Sequence, residues 1–195
     1  MFYRWTIFNT PLVTPCVRWL AVISLRLLGW RIKGRPPELD KFVVVAYPHT
    51  SNWDFPFTIA LFFEFNLQIY WMGKSNLFVG PIGPLMRWLG GIPIKLDRPE
   101  GVVDQMTQAF ISTKRLVVVI SPESNRQRVK RWRTGFYHIA LASKIPVVLD
   151  FPKKEAGYLG HLEPSGDLKA DLKLIKAKYT GIRGLYPDQS ELINP

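Results

Sequence analysis

Residues 116–120, Leu-Val-Val-Val-Ile, decide the fold class of this chain. An aliphatic run of strand length with no polar alternation is typical of a strand buried on both faces of a parallel sheet. A second run, Phe-Val-Val-Val-Ala-Tyr at residues 42–47, ends at Pro48. Both runs lead directly into loops dense in polar side chains, at residues 48–53 and 121–133. Because ligands of such sheets bind beyond the carboxyl ends of the strands, we expect a site where these loops meet.

The rest of the chain alternates short apolar runs with helical patterns. Further strands are predicted at residues 67–72, 92–96 and 145–151, and helices at residues 54–64, 85–89, 99–113, 134–143 and 167–179. This alternation predicts an α/β layered domain with a mostly parallel central sheet flanked by helices. The length of 195 residues suffices for one such domain with a real core and is too short for two.

The composition restricts the class of partner. Lys and Arg total 26 against 15 Asp and Glu, a formal charge of +11, which attracts nucleic acid, anionic bilayers or phosphorylated small molecules. Hydrophobic residues make up 47% of the chain, so a disordered protein is excluded. Cys16 is the single cysteine, which excludes an internal disulfide and cysteine-rich zinc motifs and fits a reducing compartment.

The N-terminal stretch is strongly apolar from residue 12 to residue 30, but Pro15, Arg18 and Arg26 interrupt it. Its uncharged run is shorter than the roughly 20 residues that a membrane-spanning helix needs. We therefore expect residues 1–30 to form an amphipathic helix in the membrane interface, followed by the enzyme domain at residues 31–195. Tryptophans would then lie at headgroup depth and arginines near lipid phosphates: Trp5, Trp19, Trp30, Arg4, Arg18, Arg26 and Arg31. A terminal helix packed on the domain fits the composition equally well.

His49 and Asp54 form the first candidate catalytic pair. Within one helix, five residues would place the two side chains about 140° apart, so they can meet only if His49 lies in the loop and Asp54 begins the helix as its N-cap. Asp54 could then hold one imidazole nitrogen and leave the other to act as a general base. The alternative is an ordinary helix cap beside an ordinary loop histidine.

The loop after residue 120 is the second candidate. It reads Ser-Pro-Glu-Ser-Asn-Arg at residues 121–126, and four more basic residues follow by residue 133. Guanidinium groups, with free N–H groups at a helix start near Thr134, suit a phosphate. A solvated basic surface is one alternative, and nucleic acid stacking on Trp132 is another.

Four motifs follow one another along the chain: His49-x4-Asp54, Gly91-Ile92-Pro93 running into Asp97-Arg98, Pro122-Glu123-x-x-Arg126, and Ile145-Pro146-Val147-Val148. In this order they resemble the four-motif pattern of the lysophosphatidic acid acyltransferase (glycerophosphate acyltransferase) family. Flanking residues 48–54, 83–91 and 132–140 are also similar to small bacterial members, so the resemblance covers residues 29–187.

The resemblance implies a glycerolipid acyltransferase-like fold and direct transfer of a fatty acyl group from acyl-CoA or acyl carrier protein. The acceptor would be the free hydroxyl of a lysophospholipid such as 1-acylglycerol-3-phosphate, with His49 as general base assisted by Asp54 and with no metal or cofactor. The expected acceptor-binding residues are polar or charged: Asn52, Lys74, Lys95, Arg98, Glu123 and Arg126. The expected location is cytoplasmic, peripheral on the inner face of the cell membrane, with an anionic membrane surface and not nucleic acid as partner.

The sequence departs from the family pattern at several positions. Ser124 replaces the usual Gly, Asn125 replaces the usual Thr, and Lys95-Leu96 are inserted before Asp97-Arg98, so Lys95 could substitute for Arg98 as the phosphate cation. A glycolipid or an amino-acid lipid is therefore an alternative acceptor, and a catalytically silent membrane- or nucleic-acid-binding protein is an alternative function. An aromatic band at residues 53–71 is explained mainly by core packing, with an acyl-chain groove as the alternative.

Overall fold

The computed structural model of the chain describes residues 5–94, 99–123, 132–151 and 157–182. Within these residues, six strands form one sheet in the order β3-β2-β4-β1-β5-β6. The strands are β1 Lys41–Ala46, β2 Tyr70–Lys74, β3 Gly91–Ile94, β4 Leu116–Ile120, β5 Val147–Phe151 and β6 Gly157–Leu162. The first five strands pair in parallel and β6 pairs antiparallel with β5. The predicted α/β class with a mostly parallel central sheet is confirmed.

Helices cover both faces of the sheet. They are α1 Val13–Leu27, α2 Asp54–Glu64, α3 Gly83–Trp88, α4 Pro99–Ser112, α5 Gly135–Ser143 and α6 Leu168–Lys178, and a 3₁₀ helix spans Ser75–Phe78. Side chains of β1 alternate between two cores: Val43 and Val45 pack towards α4, α5 and α6, whereas Val44 and Ala46 pack towards α1 and α2. This double burial explains the unbroken apolar sequence of the central strands.

Three elements differ clearly from the sequence-based prediction. The N-terminal helix was expected over residues 1–30, but α1 spans Val13–Leu27 and residues 5–12 are turns or irregular. The second strand begins at Tyr70 and not at residue 67, because the Leu67 N–H closes α2 by bonding the Phe62 carbonyl, with Asn66 left-handed at φ 56° between them. Strand β6 was not predicted. Its Gly157 and Gly160 have positive φ and weaken the strand pattern, and the register shifts between Leu149 and Asp150 of β5.

Helix α1 packs on α2 through one face and exposes an apolar second face. Leu25 is buried, and the Arg18 guanidinium donates to the Asn66 side chain at 2.8 Å, so this arginine turns towards the domain. On the outer side, Leu12, Trp19 and Leu27 are 86%, 64% and 82% exposed. Within the described part of the chain, no helix combines the length and apolar character needed to cross a membrane.

Candidate active site

The two polar loops predicted from the sequence lie side by side at the carboxyl edge of the sheet. Strands β1 and β4 are parallel neighbours, with Val45 opposite Ile120. The residues that follow them, His49 on one side and Glu123 on the other, are joined directly by a hydrogen bond. The parallel pairing therefore brings together residues separated by 74 positions in the sequence.

His49 and Asp54 lie close together, with His49 in the loop and Asp54 at the start of α2, which is the arrangement that their spacing allows. The His49 Nδ1 atom lies 3.5 Å from Asp54 Oδ2, and the side chains are 31% and 9% exposed, respectively. A carboxylate at Nδ1 favours the tautomer that carries its proton there, which leaves Nε2 as the proton acceptor. The more exposed imidazole can reach a substrate while the buried carboxylate remains fixed.

The proposed capping role of Asp54 is wrong. Trp53 occupies the N-cap position, and Asp54 is the first residue of α2 with no helix N–H bonded to its side chain. Its Oδ2 instead accepts from the backbone N–H groups of Thr50 and Ser51, each at 2.7 Å. Both residues are buried, so their N–H groups need a partner within the protein. Asp54 therefore clamps the loop that carries His49.

Glu123 holds the same loop from the opposite strand. It is 2% exposed, and its Oε2 accepts from the His49 backbone N–H at 2.6 Å. Pro122 beside it accepts from the Arg133 N–H at 2.8 Å, which fixes the two ends of the basic loop together. Sequence reasoning assigned Glu123 to the acceptor site, and no sequence signal indicated its contact with the His49 backbone.

A mostly apolar pocket of about 110 Å³ opens beside His49. Its walls come from strand ends and from one face of α2: Ala46, Pro48, His49, Phe55, Thr58, Ile59, Ile69, Trp71, Met72, Val119 and Ser121. Phe55 and Trp71 of the aromatic band meet edge to face at 4.8 Å on this wall. Phe62 and Phe63 lie instead in the core against α1, as core packing predicts.

The remaining predicted binding residues are only partly located. Asn52 and Lys74 are exposed at the same edge, in the His49 loop and at the end of β2. Lys95, Arg98 and Arg126 lie outside the described residues, as do Ser124 and Asn125. Among the residues that are described, no group of three or more His, Cys, Asp and Glu side chains could hold a metal ion.

Trp132 does not form a stacking platform for nucleic acid, as one alternative required. It is 7% exposed, with Tyr47 at 4.8 Å, Tyr179 at 5.9 Å and the Lys176 ammonium 5.3 Å from the ring centroid. Its faces are thus used inside the protein, in a buried aromatic cluster with Tyr47 and Tyr179.

Tyr179 braces the strand ends beneath the loops. Its hydroxyl donates to the Val45 carbonyl at 2.6 Å and accepts from the Asp150 N–H at 3.2 Å. Burial, followed by the nearby Asp150 carboxylate, raises the pKa of Tyr179 well above its usual value. The phenol therefore remains a neutral donor that links β1 to β5 at all working pH values.

The sequence matches the model of the acyltransferase family over residues 32–148, which include both His49–Asp54 and Glu123. The chain therefore belongs to the acyltransferase family, as the four ordered motifs predicted. Among solved structures, it is similar to the 1-acyl-sn-glycerophosphate (LPA) acyltransferase PlsC from Thermotoga maritima, with 16% identity and a TM-score of 0.55. The match covers 85% of this chain and 75% of that chain. No curated protein matches the sequence.

Proposed function

We propose that this acyltransferase moves a fatty acyl group from acyl-CoA or acyl carrier protein to the free hydroxyl of 1-acylglycerol-3-phosphate or a closely related lysophospholipid. The observation that carries the proposal is the His49–Asp54 pair, 3.5 Å apart, at an apolar pocket. The activity named for the similar Thermotoga maritima enzyme supports this acceptor.

The proposed reaction needs no covalent enzyme intermediate. His49 Nε2 removes the proton from the acceptor hydroxyl as its oxygen attacks the thioester carbonyl. The tetrahedral intermediate then collapses, the C–S bond breaks, and the leaving thiolate takes the proton from the imidazolium. An ester and a free thiol result. A general base held in position contributes ~10²–10⁴-fold to the rate of such a step.

The pocket would receive the acyl chain. Its walls beside His49 include Ala46, Ile59 and Val119, which suit methylene groups and exclude water. The phosphate would lie towards the cationic side chains expected to bind the acceptor. Lys74 is the described member of that set, and Lys95, Arg98 and Arg126 are assigned on the family pattern alone.

We also propose that the enzyme works as a peripheral protein on the inner face of the cell membrane, with the exposed face of α1 in the interface. The +11 charge favours an anionic surface. The double variant Trp19→Ser/Leu27→Ser should bind anionic vesicles less than the wild type without a change in melting temperature, because both side chains are mostly exposed. Equal vesicle binding would exclude α1 as the contact.

The activity is tested with purified protein, lysophosphatidate and either acyl-CoA or acyl carrier protein thioester, with products identified by mass spectrometry. We expect phosphatidate with the wild type and none with His49→Ala. His138→Ala is the matched control, because His138 is an exposed histidine of α5, and it should retain full turnover. Turnover in His49→Ala equal to the wild type would remove the base from the mechanism. Product from a glycolipid or amino-acid lipid, with none from lysophosphatidate, would replace the proposed acceptor.

A further inference from the structure

The segment that runs from the end of β2 into the first turn of α3 exposes an unusual set of aliphatic side chains. Leu77, Val79, Ile82 and Leu85 are 47%, 73%, 59% and 49% exposed, all within nine consecutive residues. Single exposed aliphatic residues are normal on a protein surface, whereas a contiguous group of them marks a binding surface. We call residues 75–85 the β2–α3 loop.

A buried anchor holds this loop in place. Phe78 is 3% exposed, packs on Trp71 at 5.7 Å, and occupies space that three glycines leave open. A Cβ added at Gly73 or Gly91 would stand 3.2 Å or 2.6 Å from the Phe78 ring, and one at Gly83 would stand 2.3 Å from the Phe78 carbonyl oxygen. The loop therefore cannot move as a unit without exposing Phe78.

Arg87 of α3 fixes the anchor further. Its guanidinium donates to the Phe78 carbonyl at 2.8 Å and lies over the Phe78 ring at 5.6 Å from the centroid. With Phe78 turned inward, its neighbours Leu77 and Val79 point away from the core. The protein thus uses a rigid turn to present aliphatic side chains to the outside.

The β2–α3 loop borders the pocket of the active site. Phe78 packs on Trp71, and Trp71 with Met72 lines the pocket beside His49. The loop leaves the carboxyl end of β2, the strand next to β4. Lys74, at the base of the loop, is exposed at the same edge.

We propose that the β2–α3 loop inserts its aliphatic side chains into an anionic bilayer leaflet and orients the pocket of His49 towards the lipid. The inference rests on the proposed action at a membrane and adds a contact separate from α1. Charge selects this occupant: a chain of charge +11 is attracted to an anionic leaflet, with Lys74 near its phosphates, whereas a second copy of the chain would be repelled.

The test compares two double variants that each remove two exposed aliphatic side chains. Val79→Ser/Ile82→Ser changes the loop, and Ile82 is the N-cap position of α3, where serine is well accepted. Ile111→Ser/Leu174→Ser is the matched control. These side chains are 60% and 57% exposed on α4 and α6, which cover the face of the sheet opposite to α1 and α2. Partitioning is measured by flotation with phosphatidylcholine vesicles containing phosphatidylglycerol. We expect the loop variant to partition about tenfold less than the wild type and the control to be unchanged.

Two further readouts make each outcome decisive. An environment-sensitive fluorophore on Val79→Cys, in a Cys16→Ser background, should shift to the blue on vesicles, whereas the same label on Ile111→Cys should not. Turnover of a short-chain lysophosphatidate below its micellar concentration should be equal in the wild type and the loop variant. If the wild type itself does not turn over this substrate, the proposed function is wrong, and the vesicle measurements still decide whether the loop binds the membrane. Unchanged partitioning of the loop variant, an equal loss in the control, or a wild-type dimer that the loop substitutions make monomeric would overturn the inference.

Discussion

Replacing Glu123 tests whether this carboxylate acts on the catalytic loop or on the acceptor. Glu123 is buried, and its Oε2 accepts from the N–H of the partly buried His49 at 2.6 Å. A hydrogen bond to a charged group contributes about 1.5–3 kcal/mol, and a buried donor left without a partner costs about 1–3 kcal/mol. Glu123→Ala should therefore lower the free energy of unfolding by about 2–4 kcal/mol, whereas Glu123→Gln, whose amide oxygen can still accept, should lower it by only about 1 kcal/mol.

The same contact determines the kinetic result. Without Glu123 the His49 loop can shift, and a displacement of about 1 Å at a reacting group costs on the order of 10²-fold in rate. We expect the kcat of Glu123→Ala to fall by about that factor with the KM for lysophosphatidate unchanged, and that of Glu123→Gln to stay within about tenfold of the wild type. Melting temperature should fall by about 2–4 °C for each kcal/mol lost in a domain of this size.

The assay measures initial rates over a range of acceptor and donor concentrations, beside thermal unfolding of each variant. If Glu123→Ala raises the KM for lysophosphatidate and leaves kcat intact, Glu123 binds the acceptor and does not act on the catalytic loop. If the Gln and Ala variants are equally damaging, the charge of Glu123 matters and the hydrogen bond to His49 does not.

Three further predictions concern buried polar groups. Asp54→Asn keeps the shape of the side chain but removes the charge that orients His49 and attracts the N–H groups of Thr50 and Ser51. We expect kcat to fall by ~10²–10⁴-fold, and a near-normal kcat would contradict this. Ser121→Ala should leave the melting temperature unchanged or raised, since the buried Ser121 hydroxyl has no hydrogen-bond partner among the described residues, and a clear fall would contradict this. Burial, the largest influence, raises the pKa of Asp171, but hydrogen bonds from Ser165 and Tyr137 outweigh it and hold that pKa below its usual value. Asp171 therefore stabilises the fold fully above its unfolded pKa of about 4, and this stabilisation is lost as pH falls through the lower pKa of the folded state. In urea unfolding, the stability of an Asp171→Asn variant should depend less on pH in the acid range than that of the wild type. An unaltered pH dependence would contradict this.

The local sequence pattern was sufficient to predict the strands and helices that carry the site. The run at residues 116–120 coincides with β4, and the helix predicted at residues 54–64 coincides with α2, because a strand buried on both faces or a helix between clear boundaries is encoded by its own residues. The family, the order of motifs and the pairing of His49 with Asp54 also followed from the sequence. Strand β6 did not, because its two glycines acquire strand geometry only by pairing with β5.

Tertiary structure decided how the site is held and what the surface presents. The carboxylate of Asp54 turns to the N–H groups of its own loop and not to the helix, and Glu123 reaches His49 across the sheet. Likewise, the apolar residues of α1 and of the β2–α3 loop divide between core and surface only once Leu25 and Phe78 are buried. The sequence shows which side chains are apolar or charged. Which of them are buried and which stay on the surface is determined by contacts between residues far apart in the chain, and these contacts exist only in the folded sheet.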